Sequence, residues 1–388
     1  MKVLLFYKSL ITPGGAERLI IEEYKAFKSL GYDVKVVVFN FDRVASFGED
    51  FSSDLIELKS WFWFFSLFKL VSLFRRNQPS LIISSSGIIE VALASFFANT
   101  KFYLHLHHPM TMKNETEKYS FFLRKKYGYI LARSYEKTLL DEEKNRLGLL
   151  SLAYISARQL SVEIAIKRAS HIFVLSHYAR EELNYLYNVN SLVLQGAIDT
   201  ADPCFERASL PCEANALKVL CISRLEPQKR IDQAILAFEK VLEKSPSAIM
   251  FIGGSGPQEQ ALKALVKNLG LCKSVNFLGF IPDKLLMGYY NSADIFLSLD
   301  WADFNITVIE ALSAGTNVVV SNEGEFDKRF VDNANMLLVD PKNHKLTANA
   351  ILQLHGRKEH QSNDERRDIL SLYTWKEYCK NIIKSLRL

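Results

Sequence analysis

Leu217-Lys218-Val219-Leu220-Cys221-Ile222 runs directly into Ser223-Arg224-Leu225-Glu226-Pro227-Gln228-Lys229-Arg230. The first six residues have the length and apolar content of a buried strand, and the charged, proline-containing stretch after them reads as the loop at its C-terminal end. Further strand-like runs follow near 248–252, 274–278, 294–298 and 317–320, spaced by helix-length stretches. The same rhythm occupies the first half: strand 2–7, helix 16–30, strand 33–39, helix 62–76, strand 80–84, helix 87–98, strand 101–106 and a strand at 171–175, with Ser176 as N-cap of the next helix. Alternation of this kind predicts α/β architecture, parallel sheets covered by helices on both faces.

At 388 residues the chain exceeds one ordinary core, so two domains are expected. A run from Gly196 to Asn215, rich in turn formers and without periodicity, marks the linker. Two Rossmann-like domains, 1–200 and 201–373, are therefore predicted to face each other across a cleft. Ligands of open α/β sheets bind beyond the strand C-termini, which selects the loops at 8–16, 105–110, 223–230, 253–257 and 300–310.

Apolar residues make up 48% and charged residues 23% of the chain, the balance of a folded protein. The net charge of +5 is modest, and nothing in its distribution predicts a nucleic-acid partner. The five cysteines have no C-x-x-C pairing or histidine spacing suited to zinc, and a reduced, cytoplasmic setting is expected. No run of apolar residues is long enough to span a bilayer, and the first residues lack a signal-peptide pattern. Residues 61–76, rich in Trp and Phe, carry a narrow polar stripe at Ser66, Lys69, Ser72 and Arg76; they read either as core between helix and sheet or as a segment lying on a membrane surface. The irregular stretch 111–168, which interrupts the rhythm of the first half, is part of a basic region with ten Lys/Arg against six Asp/Glu between 101 and 150.

Three signals in the second half fall in order: Arg224 and Lys229, the glycine turn Gly253-Gly254-Ser255-Gly256-Pro257, and Asp303-Phe304-Asn305-Ile306-Thr307-Val308-Ile309-Glu310. Cations at a strand end can bracket a diphosphate, a glycine turn lets backbone approach a ligand, and an acidic helix residue can hold a sugar diol. Together they ask for a sugar nucleotide; singly, each also fits a solvated loop or an ordinary strand-to-helix connection. Thr12-Pro13-Gly14-Gly15-Ala16-Glu17-Arg18 likewise fits either a tight turn or an anion site at a helix start. In Leu104-His105-Leu106-His107-His108-Pro109, alternation places His105 and His107 on one face of a strand. No carboxylate nearby in sequence completes a metal site, so His107 is read as a hydrogen-bonding partner for sugar and His105 as the better candidate for a packed residue.

Gly14-Gly15-Ala16-Glu17, His107, Ser176-His177-Tyr178, Gly196-Ala197-Ile198-Asp199, Arg224 to Lys229, Gly254 to Pro257, Gly279-Phe280-Ile281, Glu310-Ala311 and Trp375 fall in the order of glycosyltransferase family 4, which the chain resembles over nearly its whole length. The resemblance is strongest to mannosyltransferases acting on lipid-linked glycans. It implies the GT-B fold, with a final helix, 374–388, packing back on the first domain. It also implies retaining, metal-independent transfer of a hexose from a nucleotide sugar to a glycan or lipid-linked acceptor, with no cofactor. With the segment 61–76 and the basic 101–150 region, the motif order adds the expectation of work at the cytosolic face of a membrane or on a growing polysaccharide. Arg224 and Lys229 would hold the phosphates, Gly14 and Gly15 would approach the donor, Glu310 would take the ribose diol, and His107 would sit near the moving sugar. Gly254, the backbone at Phe280 and Ile281, and Asp303, Phe304, Asn305, Ile306 and Thr307 complete the implied donor site. Two positions depart from the pattern. Ala302 stands where the family has the first Glu of its Glu-x7-Glu motif, and Asn305 replaces a glycine. The first removes an acceptor for the sugar hydroxyls, which Asp303 is placed to supply, and it raises a second reading, a GT-B protein that binds nucleotide or glycan with weakened or lost turnover.

Overall fold

The computed structural model describes residues 1–11, 15–46, 49–59, 62–107, 160–198, 208–211, 213, 215–300, 304–326, 330–331, 335–356 and 368–386. Gly14, Trp61, His108, Ala302, Asp303, the basic stretch from 108 to 159 and most of the linker lie outside them. The chain divides into two compact units, Met1–Gly196 with Trp375–Leu388, and Ala197–Thr374.

The first unit is a seven-stranded sheet. Its elements are β1 (Lys2–Leu10), α1 (Gly15–Ser29), β2 (Asp33–Phe41), β3 (Leu55–Glu57), α2 (Trp63–Asn77), β4 (Leu81–Ser84), α3 (Ile88–Ala98), β5 (Tyr103–Leu106), β6 (His171–Val174), α4 (His177–Tyr187) and β7 (Leu192–Val193). The strand order is β3-β2-β1-β4-β5-β6-β7, and every pair is parallel. Leu4, Phe6, Val37, Leu104, Ile172 and Val174 join Leu70 and Phe74 of α2 in one core. Ser176 caps α4 as expected, accepting from Ala179 N at 3.0 Å. The very short β3 and β7 are too brief for a periodicity signal.

The second unit holds a six-stranded parallel sheet of order β10-β9-β8-β11-β12-β13. Its elements are β8 (Lys218–Ile222), α5 (Ile231–Leu242), β9 (Ile249–Gly253), α6 (Glu259–Asn268), β10 (Val275–Gly279), α7 (Asp283–Ser292), β11 (Ile295–Ser298), α8 (Ile306–Ser313), β12 (Asn317–Ser321), β13 (Met336–Val339) and α9 (His344–His355). Alternate strand residues feed two cores. Val219, Cys221, Met250, Ile252 and Val319 pack with α5, α6 and α9, while Leu220, Phe251, Phe296, Val318 and Val320 pack with α7 and α8. Both faces being covered explains why these strands read as unbroken apolar runs.

The last helix, α10 (Trp375–Leu386), belongs to the first unit and packs on α1. Its buried residues, Trp375, Tyr378, Cys379 and Ile382, follow the spacing of one helix face.

In each sheet the order reverses beside the first strand, at β1/β4 in one unit and β8/β11 in the other. Loops leaving the C-terminal ends at such a switch point diverge and open a crevice.

Residues 61–76 need correction. Ser66, assigned to the solvent stripe, is buried and donates to Leu58 O at 3.0 Å, sharing the inner face with Leu70 and Phe74. Phe62, Phe64, Phe65 and Phe68 are the exposed residues, together with Lys69, Arg75 and Arg76. A small hydroxyl with a backbone acceptor enters a core more readily than a ring that has no room there.

Candidate functional site

At the second switch point, the loop after β8 is laced to the glycine turn after β9. Ser223 N donates to Gly253 O (3.1 Å), Leu225 N to Ser255 O (2.9 Å) and Gln258 N to Leu225 O (3.0 Å). A Cβ on Gly256 would lie 2.5 Å from Leu225 O, and one on Gly253 would lie 2.4 Å from Ile281 Cδ1. The glycines therefore let two loops of the protein approach each other. The turn is scaffolding for the segment that carries Arg224, and the plain-connection reading accounts for its composition. Ile281 is buried against this turn, whereas the Phe280 side chain is exposed.

Pro227–Lys229 forms a 3-10 turn that aims Lys229 at the end of β11. Lys229 Nζ lies 2.6 Å from Asp300 Oδ2. Asp300 is buried and also engages Ser298 Oγ. Asn305 Nδ2 donates to Ser298 Oγ (3.0 Å) and to Asp300 Oδ1 (3.1 Å), while Thr307 Oγ1 donates to Asn305 Oδ1 (2.7 Å). Burial raises the Asp300 pKa, but the charge and hydrogen bond of Lys229, helped by Ser298, more than offset this and hold the carboxyl below its ordinary value. An ammonium has three N–H donors, so Lys229 can keep Asp300 and still offer protons to a phosphate.

Arg224 is paired with Glu226 at 2.9 Å and is mostly exposed. The two cations are thus not the bare pair the sequence suggests: each carries a carboxylate partner. Arg230, adjacent in sequence, is turned away to Glu323 (2.6 Å) and donates to Leu299 O (3.2 Å).

Asn305 at the glycine position has φ −95°, so no left-handed backbone is needed there. Its amide does the work instead, tying the start of α8 to the end of β11. Ile306 and Thr307 open α8, and Glu310 is buried one turn on, where the Tyr290 hydroxyl donates to Oε2 at 3.2 Å. Phe304, assigned to the donor, stacks on Tyr373 with centroids 6.1 Å apart and planes at 15°, a packing role inside the unit. Sequence reasoning missed Asp300. Its signal in the sequence is an acidic residue two places past the strand at the switch point.

In the first unit Gly15 is the first residue of α1. The Tyr7 hydroxyl of β1 donates to Glu17 Oε1 at 2.9 Å, and burial, then the Glu17 charge, push its pKa up. His107 is buried just past β5, its Nε2 lying 3.1 Å from His105 Nδ1. His105 is not merely a packed residue. Its Nδ1 is 2.8 Å from Glu23 Oε1 of α1, and its Nε2 is 2.8 Å from the Tyr378 hydroxyl of α10. The carboxylate absent from the local sequence arrives through the fold. Among the described residues Glu23, His105 and His107 form the cluster whose ligand atoms lie within 4.8 Å of one another. Those atoms are already engaged with one another by hydrogen bonds. A hollow of about 370 Å³ on this unit, lined by Ile166, His171 and Leu192 among others, contains none of these residues.

Two parallel α/β units, each with a switch point beside its first strand, have the architecture of the GT-B fold. The chain belongs to glycosyltransferase family 4. The Glycosyltransferase Family 4 profile matches residues 13–202 and the Glycosyl transferases group 1 profile matches residues 205–368. It is 31% identical over 186 residues to an uncharacterized glycosyltransferase of Methanocaldococcus jannaschii, a match covering 47% of each chain. A GDP-mannose-dependent alpha-(1-6)-phosphatidylinositol monomannoside mannosyltransferase of Mycobacterium tuberculosis is 28% identical over 144 residues, 35% of this chain and 37% of that one. In both cases the match spans less than half of the relative. Anabaena HepE, solved in complex with UDP, superposes with a TM-score of 0.71 at 19% identity over 100% of both chains. That likeness is one of fold.

Proposed function

We propose that the protein is a retaining, metal-independent glycosyltransferase that moves a hexose, with mannose the first candidate, from a nucleotide diphosphate sugar to a glycan or lipid-linked acceptor. The observation that carries this reading is the convergence of Lys229, Asp300 and Asn305 at the β8/β11 switch point, with Glu310 and Tyr290 one helical turn behind. Mannose is favoured by similarity to the mycobacterial enzyme, whose name specifies GDP-mannose.

In this reading the bond between the anomeric carbon and the diphosphate oxygen breaks, leaving its electron pair on the diphosphate. Arg224 and Lys229 meet the growing negative charge without a divalent ion. The acceptor hydroxyl bonds to the anomeric carbon on the same face and passes its proton to the departing diphosphate. Glu310 accepts from the ribose diol, and Gly14, Gly15 and Asp303 complete the donor site. The exposed rings of Phe64, Phe65 and Phe68 beside Lys69, Arg75 and Arg76 suit an anionic lipid surface. In this reading the reaction runs at the cytosolic face of a membrane; among the described residues no helix is long and apolar enough to cross one.

The test is incubation of the protein with a panel of sugar nucleotides and lipid-linked acceptors, with products followed by mass spectrometry. Transfer with retained anomeric configuration in the presence of a chelator is expected. Neither transfer nor hydrolysis from any donor would overturn the reading. A second reading, nucleotide binding without turnover, is favoured by Lys229 being partnered by a buried carboxylate. Tight nucleoside diphosphate binding by calorimetry, with turnover appearing only in Ala302→Glu, would select it.

A further inference from the structure

Among the described residues, the non-glycine positions with positive φ are Gln78, Asn99, Asn188 and Arg230. The first three carry carboxamides and cap the C-termini of α2, α3 and α4. Arg230, at φ +50°, instead joins two helical segments. Its N–H closes the 3-10 turn by donating to Pro227 O at 3.1 Å, and its carbonyl accepts from Ala234 N at 3.2 Å in the first turn of α5. A left-handed backbone is disfavoured for a residue with a Cβ, whereas glycine adopts it freely. Such strain persists only where the surroundings hold it.

The Arg230 side chain supplies the hold. Its Nη1 donates to Leu299 O (3.2 Å), one residue past β11, and lies 2.6 Å from Oε2 of Glu323, two residues past β12. Since β8, β11 and β12 are neighbours in the sheet, one guanidinium ties the loop after β8 to the ends of the next two strands. The Arg230 side chain is 19% exposed and that of Glu323 7%. Glu323 is fixed in turn, its N–H donating to Ser321 Oγ (3.1 Å) and the N–H of Asn322 to Val339 O (2.8 Å). Glu323 Oε2 receives no hydrogen bond from the described residues, so charge and not a directed N–H bond holds the pair. Consecutive residues thus grip consecutive residues: Lys229 meets Asp300, and Arg230 meets Leu299. A lysine ammonium rides on a flexible four-carbon stem, so where it points depends on the backbone beneath it.

We infer that Arg230 and Glu323 are positioning residues: their pair locks the left-handed turn after Lys229, so that the Lys229 ammonium is held against Asp300 at the β8/β11 switch point and presented to the diphosphate. The diphosphate rests on the glycosyl-transfer reading, but the placement of Lys229 against Asp300 does not. Arg230 and Glu323 act through Lys229 and leave the ligand itself to it.

The experiment compares Arg230→Gly, Glu323→Gln and the double variant with wild type in two measurements. The first is calorimetry with GDP and UDP, each against its nucleoside. Removing a cation and removing an anion change the local potential in opposite senses, so a purely electrostatic role would move diphosphate affinity in opposite directions. A positioning role weakens it in both, by about 10-fold, with nucleoside affinity held within about twofold. In a Lys229→Ala background neither substitution should add more than about twofold. The second is 13C NMR titration of the Asp300 carboxyl, assigned from Asp300→Asn. Against the effect of burial, Lys229 holds that carboxyl below its ordinary value, so the titration should move upward in all three variants. Glu323→Gln keeps the shape of the side chain and decides the matter should Arg230→Gly fail to fold. Unchanged diphosphate affinity with an unmoved Asp300 titration overturns the inference, and so does tighter diphosphate binding in Glu323→Gln, which would make Arg230 a phosphate ligand restrained by its partner. Absence of GDP and UDP binding in wild type would count against the glycosyl-transfer reading alone, and the Asp300 titration would still decide the inference.

Discussion

Lys229 Nζ sits 2.6 Å from Asp300 Oδ2, so the first strand of the second sheet and its neighbour across the switch point are joined by an ion pair at their C-terminal ends. The lysine side chain is 25% exposed and the aspartate 6%. Asp300 is therefore the anchor and Lys229 the arm. Arg224, whose side chain is 69% exposed, is paired with Glu226 in its own loop. The two cations should separate in their effects. Arg224→Ala should change stability by less than about 0.5 kcal/mol, because exposed pairs contribute little. Lys229→Ala should cost about 1–3 kcal/mol, because it strands a buried carboxylate. Both should weaken nucleoside diphosphate binding, the double variant by about 100-fold or more. Urea denaturation and calorimetry on the same preparations check this. Unchanged affinity in the double variant removes the phosphate role.

The same pair sets an acid limit. The Asp300 carboxyl is held below its ordinary value near 3.8, so the folded state favours the ionised form more than the unfolded chain does. The stabilisation is fully present above that ordinary value and is lost as pH falls through the lower folded value. Asp300→Asn should lower stability at neutral pH and flatten the stability profile below the ordinary carboxyl value near 3.8. Parallel profiles for variant and wild type would contradict the assignment.

Gly254 has φ +119°, and a Cβ there would lie 1.8 Å from the Ser223 carbonyl oxygen. Gly254→Ala should cost about 3 kcal/mol or more, since backbone strain and a collision with backbone add. Gly31, with φ +83° and open space around its Cβ position, is the control: Gly31→Ala should cost about 1 kcal/mol. Equal losses in melting temperature would show that the turn can yield.

The fold was readable because buried parallel strands leave continuous apolar runs, and because helices between them repeat at their own period. β3 and β7 lacked the length for either signal. The site was readable where a residue type announces its chemistry, as with Arg224, Lys229 and Glu310. It was not readable where function depends on pairing across the fold. Asp300 faces Lys229 from another strand, and Glu23 and Tyr378 reach His105 from helices at opposite ends of the chain. Ser66 shows the converse limit. A polar stripe drawn on a helical wheel assigns faces by residue type, whereas the neighbouring backbone acceptor at Leu58 decides which face is buried.

On α2, Phe65 and Phe68 are exposed by 49% and 69%, while Phe74 is fully buried. Phe65→Ser with Phe68→Ser should weaken flotation with anionic vesicles, more so at high salt, where Lys69, Arg75 and Arg76 are screened. Stability should move by less than about 1 kcal/mol. Phe74→Ala should cost about 3–5 kcal/mol. Flotation unaffected by the double substitution would leave the rings without a membrane role.

Glu310 is buried on α8 and receives the Tyr290 hydroxyl at 3.2 Å, which holds one carboxylate oxygen in place. A diol donates two hydrogen bonds; a carboxylate meets them with two acceptor oxygens, whereas a carboxamide offers one acceptor oxygen beside an NH2 donor. If Glu310 binds ribose, its effect belongs to the 2′ and 3′ hydroxyls and not to the phosphates. Glu310→Gln should therefore weaken binding of a ribonucleoside diphosphate by about 10-fold or more, while leaving the affinity for its 2′,3′-dideoxy analogue nearly unchanged. Tyr290→Phe should act in the same direction with a smaller effect, since it frees the carboxylate without removing it. Equal weakening of both ligands by Glu310→Gln would show a general disturbance of the β8/β11 crevice and take the diol away from this residue.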